Sequence, residues 1–383
     1  MSNGLLTGQI ETGTISTPVP GRKIVGFSNG VNPCTIGQTT GREAAGTIRH
    51  PDPAYVGGRM SAMGHHTQTT TSKTSTITNS QYVLPQISMQ IINVCGLKNK
   101  LLNIPEFRNT LKNCDISLLC ETKLDNADIE LIQESIQELD LKAFYKNRRI
   151  LSAWRSGGLC IMYNKNIEKH VTYVESKSKL VQFLKIDKAL IGSDKDVIVG
   201  NTYIPPIGTR YETTTPFLEL QDELLKFKDN YICIAGDLNS HTGTERDYVI
   251  IDDFNQEQLD CDNEAQALLD NVTYLSSNNV NLSRSNTDHR NPDIYGRQML
   301  DFCKSNSLFV CNGRINMDNS GKATTTQGSV IDYVVASHDF INKIKDLHVK
   351  DFDAIYSDKH CRVSWNLICH KATKKIAKIM RII

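Results

Sequence analysis

Short apolar segments separated by polar turns recur along the chain from Ile87 onward. They are rich in Val, Ile, Leu, Phe and Tyr, a composition typical of buried β-strands. The segments predicted to be strands are ISMQIINV, ISLLC, GGLCIMY, VQFLKI, VIVGNTYI, YICIAG, LFVCN, SVIDYVV and RVSWNL. So many strands with few helices favour two packed sheets with helices outside over a single doubly wound parallel sheet.

Two regions between these strands show the three-and-four spacing of apolar residues that is typical of an amphipathic helix. The two apolar faces consist of Ile129, Ile132, Ile136 and Leu139, and of Phe217, Leu220, Leu224 and Phe227. We interpret both faces as core packing. Residues 244 to 295 are polar and rich in Asn, Asp and Ser, which predicts a long, partly irregular insertion over the surface.

Residues 1 to about 85 form a Thr-, Ser- and Gly-rich segment with few large apolar side chains, and we predict that it is a disordered arm. The formal net charge of the whole chain is +1, and the arm holds six of the Lys and Arg residues but three of the Asp and Glu residues. The remainder is therefore slightly acidic. Any nucleic acid must be recognised locally rather than through a bulk basic charge.

The 11 cysteines are scattered and include no CxxC pair, and several lie in apolar runs, so we expect reduced core thiols. The His65–His66 pair lacks companion ligands, which argues against a structural zinc site. The N-terminal sequence has no basic segment followed by an apolar core, and no apolar run approaches the roughly 20 residues that span a bilayer. These features predict a protein that is intracellular rather than secreted, makes no membrane contact and carries no covalent cofactor; its oligomeric state is not indicated.

Polar residues with catalytic chemistry lie at the ends of several predicted strands, where a rigid scaffold can direct them into one cleft. In chain order they are Asn93, Glu121, Tyr203, Asp237, Asn239, Asp332 and His360. Any one of them alone is more typical of a turn, a cap or core packing. Together they suit phosphodiester hydrolysis, which requires positioned water and a hard divalent cation held by oxygen ligands.

Each residue has a predicted role. Glu121, in CETKLD, is the expected metal carboxylate, and Asn93, in NVCGL, offers its amide oxygen toward metal-bound water or its amide hydrogens toward phosphate. In the run YICIAGDLN, Asp237 is expected to orient and deprotonate water while Asn239 holds the phosphate. Tyr203, in TYIPP, is expected to donate its hydroxyl to a phosphate oxygen.

Near the C-terminus, Asp332 interrupts the apolar segment SVIDYVV, and a buried carboxylate requires a partner. We predict that His360 is that partner. An imidazole oriented by a carboxylate can act as a general acid or base, or as a cation facing phosphorus.

The order NVCGL, CET, YIPP, GDLN, SVIDYVV and SDKH closely resembles the endonuclease/exonuclease/phosphatase superfamily, which includes deoxyribonuclease I and the abasic-site endonucleases. The resemblance spans roughly residues 87 to 367. The segment YGRQMLDFCKSNSLFVCNGRINMD is similar to the endonuclease domain of non-LTR retrotransposons.

The resemblance implies a deoxyribonuclease I-like, four-layered αββα sandwich over residues 86–370, followed by a basic tail, 371–383. It also implies Mg²⁺ or Mn²⁺ as cofactor and DNA as partner, nicked to leave a 3′-hydroxyl that primes reverse transcription, in the nucleus if the target is chromosomal. By motif, Glu121, Asn93 and Asp358 would bind the metal, Tyr203 and Asn239 would contact phosphate, and Asp332 would orient His360.

The chain departs from the superfamily pattern at two positions. Cys95 stands where the superfamily usually has Asn or Asp, and Lys359 separates Asp358 from His360. Two alternatives therefore stay open: a catalytically impaired DNA-binding remnant of a mobile element, and a sibling phosphatase acting on a phospholipid or inositol phosphate. The retrotransposon proteins continue into a reverse transcriptase, whereas this sequence stops at Ile383, so we expect an isolated or truncated endonuclease module.

Overall fold

The computed structural model describes residues 86–147, 156–250 and 263–369. The predicted disordered arm, residues 1–85, and the predicted basic tail, residues 371–383, lie outside these ranges, so both remain predictions. Within the described ranges, no helix combines the length and the apolar character that crossing a membrane requires.

The described residues form two six-stranded sheets. The first sheet contains, in spatial order, β11 (Ile344–Val349), β12 (Val363–Ile368), β1 (Gln86–Asn93), β2 (Ile116–Cys120), β4 (Leu159–Asn164) and β3 (Leu141–Lys146). The second contains, in spatial order, β5 (Val171–Val174), β6 (Val181–Ile186), β7 (Val197–Tyr203), β8 (Tyr231–Asp237), β10 (Asp332–Ser337) and β9 (Leu308–Val310).

Helices occupy several of the connections between strands. They are α1 (Lys98–Asn103), α2 (Pro105–Lys112), α3 (Asn126–Glu138), α4 (Lys188–Ile191), α5 (Pro216–Leu224), α6 (Asn263–Ser277) and α7 (Ile294–Ser305). Short 3₁₀ turns cover Lys165–His170, Leu225–Phe227, Asn316–Asp318 and Ile341–Lys343. Both predicted amphipathic helices are present as α3 and α5. A capping box between Asp125 and Asp128 begins α3, because each side chain accepts from the other residue's backbone N–H.

The largest apolar core lies between the two sheets and includes Met89, Leu118, Val199, Cys233 and Trp365. Separate clusters cover the outer faces of the sheets. Helices α1, α2 and α3 pack on the first sheet, and α5 and α7 pack on the second. The result is helix, sheet, sheet, helix, which confirms the predicted αββα sandwich.

Three strands absent from the sequence prediction, β3, β5 and β11, are all at sheet edges. An edge strand has one free side, so it tolerates charged residues and lacks the continuous apolar run that marks a central strand. In β11 the run IKDLHV has buried positions at Ile344, Leu347 and Val349, and a bulge between Lys345 and His348 breaks the regular alternation. Periodicity alone therefore identified the central strands and missed these edges.

The polar insertion at residues 244–295 is more ordered than its composition predicted. It contains the 15-residue helix α6, and Leu275 near the end of that helix is fully buried. Residues 251–262 of the insertion lie outside the described ranges. Among residues 270–277 of this helix only Leu275 is buried, and one such position gives too weak a periodic signal for a helix prediction.

Candidate active site

Strand direction brings the predicted site residues to one end of the sandwich. In the first sheet β1 and β2 are parallel, with Asn93 opposite Cys120, so Glu121 follows at the same end. In the second sheet β7 and β8 are parallel, with Tyr203 opposite Asp237. Strand β10 runs antiparallel to β8 and begins at Asp332, directly opposite Asp237. Both sheets thus present their polar strand ends at one edge.

The side-chain amide of Asn93 joins the two sheets. Its Nδ2 donates to Asp237 Oδ2 at 2.8 Å and to Glu121 Oε1 at 3.2 Å. His360 Nε2 also lies 3.3 Å away. Because the amide has two hydrogens, these two carboxylates use its full donor capacity. Glu121 and Asp237, which are 116 positions apart in the sequence, therefore share one amide group.

His360 and Asp332 form the pair that the sequence predicted. Nδ1 of His360 lies 2.9 Å from Oδ2 and 3.2 Å from Oδ1 of Asp332, and both side chains are buried. Because a carboxylate can only accept, Nδ1 carries the hydrogen. The other ring nitrogen, Nε2, lies 3.8 Å from Asp237 Oδ2 and faces the shared cluster.

The electrostatics of this cluster follow from an excess of negative charge. Burial, followed by the charge of Asp332, raises the pKa of Asp237 to about 7. Burial lowers the pKa of His360, but the carboxylate of Asp332 and then that of Asp237 outweigh this effect and raise it to about 9. At neutral pH the imidazole is therefore a cation held among carboxylates.

Tyr203 and Asn239, the predicted phosphate contacts, border the same cluster. Tyr203 is buried, and its hydroxyl donates to Glu121 Oε1 at 3.2 Å. The backbone N–H of Asn239 donates to Asp237 Oδ1 at 3.1 Å, while its Nδ2 donates to the carbonyl of Ile204 at 2.8 Å. Tyr203 therefore contacts Glu121 through its hydroxyl, and Asn239 contacts Asp237 through its backbone.

Two glycines allow the backbone to hold these groups. Gly236 has φ 151°, and a Cβ there would lie 1.8 Å from the carbonyl oxygen of Thr202, so only glycine permits β7 and β8 to approach beside Asp237. Gly158 has φ 89°, and a Cβ there would lie 2.6 Å from Thr122 Oγ1. This glycine supports the turn in which Glu121 itself adopts a positive φ of 51°.

Cys95, Lys123 and Asp358 lie together at the rim of the site. Cys95 Sγ lies 2.9 Å from Lys123 Nζ, which is also 3.4 Å from Glu121 Oε2. Asp358 is exposed and its carboxylate faces the thiol of Cys95. Burial raises the pKa of that thiol, and Lys123 opposes the rise. The residue preceding Asp358 is the one that turns inward, since Ser357 is fully buried.

The insertion of Lys359 leaves His360 in place. The backbone N–H of His360 lies 3.3 Å from Ser357 Oγ, and His360 bridges to Thr325 just before β12 begins. The carbonyl of Lys359 accepts from the N–H of Thr326 at 2.9 Å. A local turn therefore absorbs the extra residue and places Asp358 on the solvent side, apart from the buried carboxylates.

Oxygen and nitrogen atoms of Asp237, Asp332 and His360 lie within 4.8 Å of one another, which is close enough to surround a metal ion. Carboxylate oxygens that could hold a cation are also present on the Glu121 side of Asp237. Both oxygens of Asp332 face Nδ1 of His360, and a cation there would break that pair. The carboxylates of Glu121 and Asp237 are hard oxygen donors, and the side chain of Glu121 is 18% exposed, so it can be reached from solvent.

Sequence reasoning overlooked Asn201, a residue that positions the site. Its Nδ2 donates to the carbonyls of Leu119 and Cys160, both at 3.1 Å, and so connects β7 to the first sheet directly beneath the strand ends. A signal was present, because an Asn inside the apolar run VIVGNTYI must find partners when buried.

No protein-family model and no curated protein sequence matches the chain. Among solved structures, the AP endonuclease LMAP from Leishmania major is 14% identical, with a TM-score of 0.50 over 74% of this chain and 88% of that one. The two chains share the same fold. At this identity the likeness concerns the fold and does not extend to an activity.

Two further solved structures are similar to this chain at lower TM-scores. The endonuclease domain of TRAS1, a telomere-specific non-LTR retrotransposon, is 11% identical with a TM-score of 0.45 over 74% of this chain and 99% of that one. An AP endonuclease from Archaeoglobus fulgidus is 15% identical with a TM-score of 0.47 over 73% of this chain and 99% of that one.

Proposed function

We propose that the chain is a divalent-metal-dependent DNA endonuclease of the retrotransposon type that nicks one strand and leaves a 3′-hydroxyl. The observation that carries the proposal is the convergence of Glu121, Asp237 and the Asp332–His360 pair at one end of the sandwich, joined through the amide of Asn93. These are the acid, base, cation and amide groups that hydrolysis of a phosphodiester uses.

The roles follow from the geometry of each group. Asp237 accepts a proton from the attacking water, and a pKa near 7 suits a base at neutral pH. The cationic ring of His360, held by Asp332, stabilises the charge that develops on the phosphoryl oxygens. When bound at Glu121, Mg²⁺ or Mn²⁺ would neutralise charge on those oxygens and on the departing oxygen, while Asp237 stays free to act as the base.

Amide and hydroxyl donors would hold the phosphate during the reaction. Asn239 stands beside Asp237, and Tyr203 beside Glu121, so both can turn their donors toward a phosphate between the two carboxylates. The reaction consumes one water and breaks the bond between phosphorus and the 3′-oxygen. One proton of the water ends on that oxygen, which leaves a 5′-phosphate and a 3′-hydroxyl.

The test is the conversion of supercoiled plasmid to nicked circles in the presence of Mg²⁺ or Mn²⁺. We expect nicking by the native chain and a loss of at least about 100-fold in Glu121→Ala and His360→Ala, since each removes a group that acts in the transition state. Glu168→Ala and His170→Ala, which change the same residue types outside the cluster, serve as controls. Unchanged nicking in the first two variants would refute the assignment of the site.

A second candidate function, a DNA-binding remnant with impaired catalysis, is favoured by one observation. The ammonium of Lys123 lies 2.9 Å from the thiol of Cys95 and 3.4 Å from Glu121, where it competes with a metal ion for the carboxylate. Replacing the thiol with a hard oxygen ligand by Cys95→Asp would then raise a low activity in the plasmid assay. DNA binding without nicking in the native chain, together with nicking by Cys95→Asp, identifies this candidate.

A further inference from the structure

A second polar pocket lies on the outer face of the first sheet, beside α2 and across β11, β12 and β1. Its volume is about 430 Å³, and its lining includes Gln90, Asn113, His348, Lys350, Arg362 and Ser364. None of these residues belongs to the cluster around Asp237. The pocket therefore calls for a separate chemical explanation.

Lys350 and Arg362, the lysine and the arginine that line this pocket, have no acidic partner within the described residues. Lys350 Nζ lies 3.1 Å from His348 Nδ1, and Arg362 donates through Nη1 to Gln90 Oε1 at 3.1 Å. The Nε of Arg362 is buried, with no acceptor in the part of the chain that the structure describes. A guanidinium whose donors are mostly unused is prepared for an external acceptor.

Neighbouring charges reinforce this interpretation. Burial, followed by the charges of Arg362 and Lys322, lowers the pKa of Lys350, as expected where like charges meet without compensation. Lys322 is paired with Asp351 at 2.7 Å. A carboxylate also lines the pocket, since Asp346 stands at its exposed side and accepts from Asn366 at 3.1 Å. It does not reach either unpaired cation.

The cations lie at the same end of the first sheet as the candidate active site. Val349 pairs with Val363, so Lys350 and Arg362 both extend past that pair toward His360. The backbone N–H of Lys350 donates to the carbonyl of Arg362 at 2.9 Å, which fixes the two side chains as neighbours. Arg362 follows His360 by two residues, and an extended chain advances about 3.3 Å per residue.

We propose that this pocket binds a backbone phosphate of the DNA substrate, next to the phosphate that is cleaved; this inference rests on the proposed function. Arg362 supplies a planar fork that matches phosphate oxygens, and Lys350 supplies a compact positive charge. The amides of Gln90 and Asn113 and the hydroxyl of Ser364 provide neutral donors around them. A phosphate held there fixes the register of the duplex over the carboxylates but reads no base.

The experiment measures binding of a short DNA duplex in EDTA, where metal-dependent cleavage cannot occur, at several salt concentrations. Lys350→Gln is the main variant, because Arg362 also stacks on the ring of Tyr356 at 5.0 Å and its removal would disturb packing. We expect the dissociation constant to rise roughly 3- to 10-fold and the salt-dependence slope to fall by about 1, the signature of one lost phosphate contact. Lys188→Gln, an exposed lysine of α4 beside the other sheet, is the matched control.

A second arm titrates inorganic phosphate into the native chain and Lys350→Gln, following backbone amide resonances around β11 and β12. Weaker binding of both duplex and phosphate by Lys350→Gln supports the proposal. Equal duplex affinity for the native chain and Lys350→Gln overturns it, as does an equal loss in Lys188→Gln. Loss of phosphate binding alone overturns the assignment to DNA.

The plasmid assay separates this inference from the proposed function. If the native chain nicks plasmid while Lys350→Gln binds duplex like the native chain, the pocket proposal fails and the nuclease proposal stands. If the native chain binds duplex through Lys350 but never nicks plasmid with Mg²⁺ or Mn²⁺, the nuclease proposal fails and the phosphate pocket stands.

Discussion

Two of the places where the described residues bury charge are built in opposite ways. One is the ion pair of Asp247 and Arg314, in which both side chains are fully buried and two parallel hydrogen bonds of 2.7 and 2.8 Å join them. Arg314 also donates to the carbonyls of Val310 and Leu282, and Asp247 accepts the N–H of Val310. Each charge has an opposite partner of matching geometry.

The other place is the candidate active site, where the carboxylates of Glu121, Asp237 and Asp332 surround one imidazole. Its hydrogen bonds are mostly longer, and no arginine or lysine reaches Asp237 among the described residues. Burial acts on both aspartates, yet the pKa of Asp247 is lowered because Arg314 outweighs burial, whereas the pKa of Asp237 is raised.

The contrast shows that burial of a carboxylate does not by itself indicate function. A buried charge that faces an opposite charge of matching geometry holds the fold together, here by connecting the polar insertion to the second sheet through Asp247. A buried charge left in excess destabilises the ligand-free fold. Such a charge is expected at a functional site, where a bound cation or substrate neutralises it.

The largest expected effect on stability comes from breaking the complete pair. Arg314→Ala should lower the free energy of unfolding by about 3–5 kcal/mol, since it leaves Asp247 charged and buried without a partner. Urea denaturation with an unchanged m-value measures the loss. The double variant Asp247→Leu, Arg314→Met is the control and should lose less than Arg314→Ala. A loss below about 1 kcal/mol in Arg314→Ala would show that the pair is replaceable by solvent.

Metal binding at the candidate active site should raise the free energy of unfolding by a somewhat smaller amount than Arg314→Ala lowers it. At a Mg²⁺ or Mn²⁺ concentration about 100-fold above its dissociation constant, the free energy of unfolding should rise by about 2.7 kcal/mol. The rise should be absent in Glu121→Ala and present in Glu168→Ala. An equal rise in Glu121→Ala would place the cation elsewhere.

Removing the excess charge of Asp237 should raise the free energy of unfolding, whereas breaking the pair of Asp247 and Arg314 should lower it. In EDTA at a pH of about 8.5, Asp237→Asn should increase the free energy of unfolding on the order of 1 kcal/mol, because each unit of raised pKa costs about 1.4 kcal/mol when the group is charged. The same variant should lose nicking activity. A metal-free Asp237→Asn variant less stable than the native chain contradicts the charge-excess explanation.

The pH dependence of that difference sharpens the comparison further. A carboxyl whose pKa rises on folding to about 7 favours the folded state below its ordinary pKa near 4, and this contribution disappears as the pH rises through 7. The stability of the metal-free native chain relative to Asp237→Asn should therefore decrease between about pH 4 and about pH 7 and level off above. Urea denaturation of both proteins across this range measures it; a difference independent of pH would mean that Asp237 titrates normally.

Protonated His360 also stabilises the folded state at low pH, and this contribution is lost over a higher pH range than that of Asp237. Its raised pKa, about 9, means that its contribution is complete below about pH 6.5 and is lost as the pH rises through 9. Comparing the native chain with His360→Ala between these limits isolates the effect. No narrowing of the difference above neutral pH would contradict a cationic imidazole in the metal-free chain.

Much of this architecture could be predicted from local patterns. The central strands are near-continuous apolar runs because both of their faces are buried, and α3 and α5 carry their apolar stripes at helical spacing. The edge strands β3, β5 and β11 and the helix α6 lack such runs, because solvent or an irregular neighbour covers part of each. Local composition registers burial, so it is least informative where burial is partial.

The sequence by itself identified the candidate site residues, since Asn93, Glu121, Asp237, Asp332 and His360 each end or interrupt an apolar run where a polar side chain is costly without a partner. The sequence also predicted that Asp332 pairs with His360, whereas only the tertiary structure decided that Asn93 joins Glu121 to Asp237. The parallel pairing of β1 with β2 and of β7 with β8 places their ends together, and the amide of Asn93 then joins groups from different sheets. The proposed phosphate pocket was equally invisible in the sequence, because Lys350 and Arg362 become neighbours only when β11 pairs with β12. Contacts between strands depend on register and direction, which long-range packing sets and which no short stretch of sequence encodes.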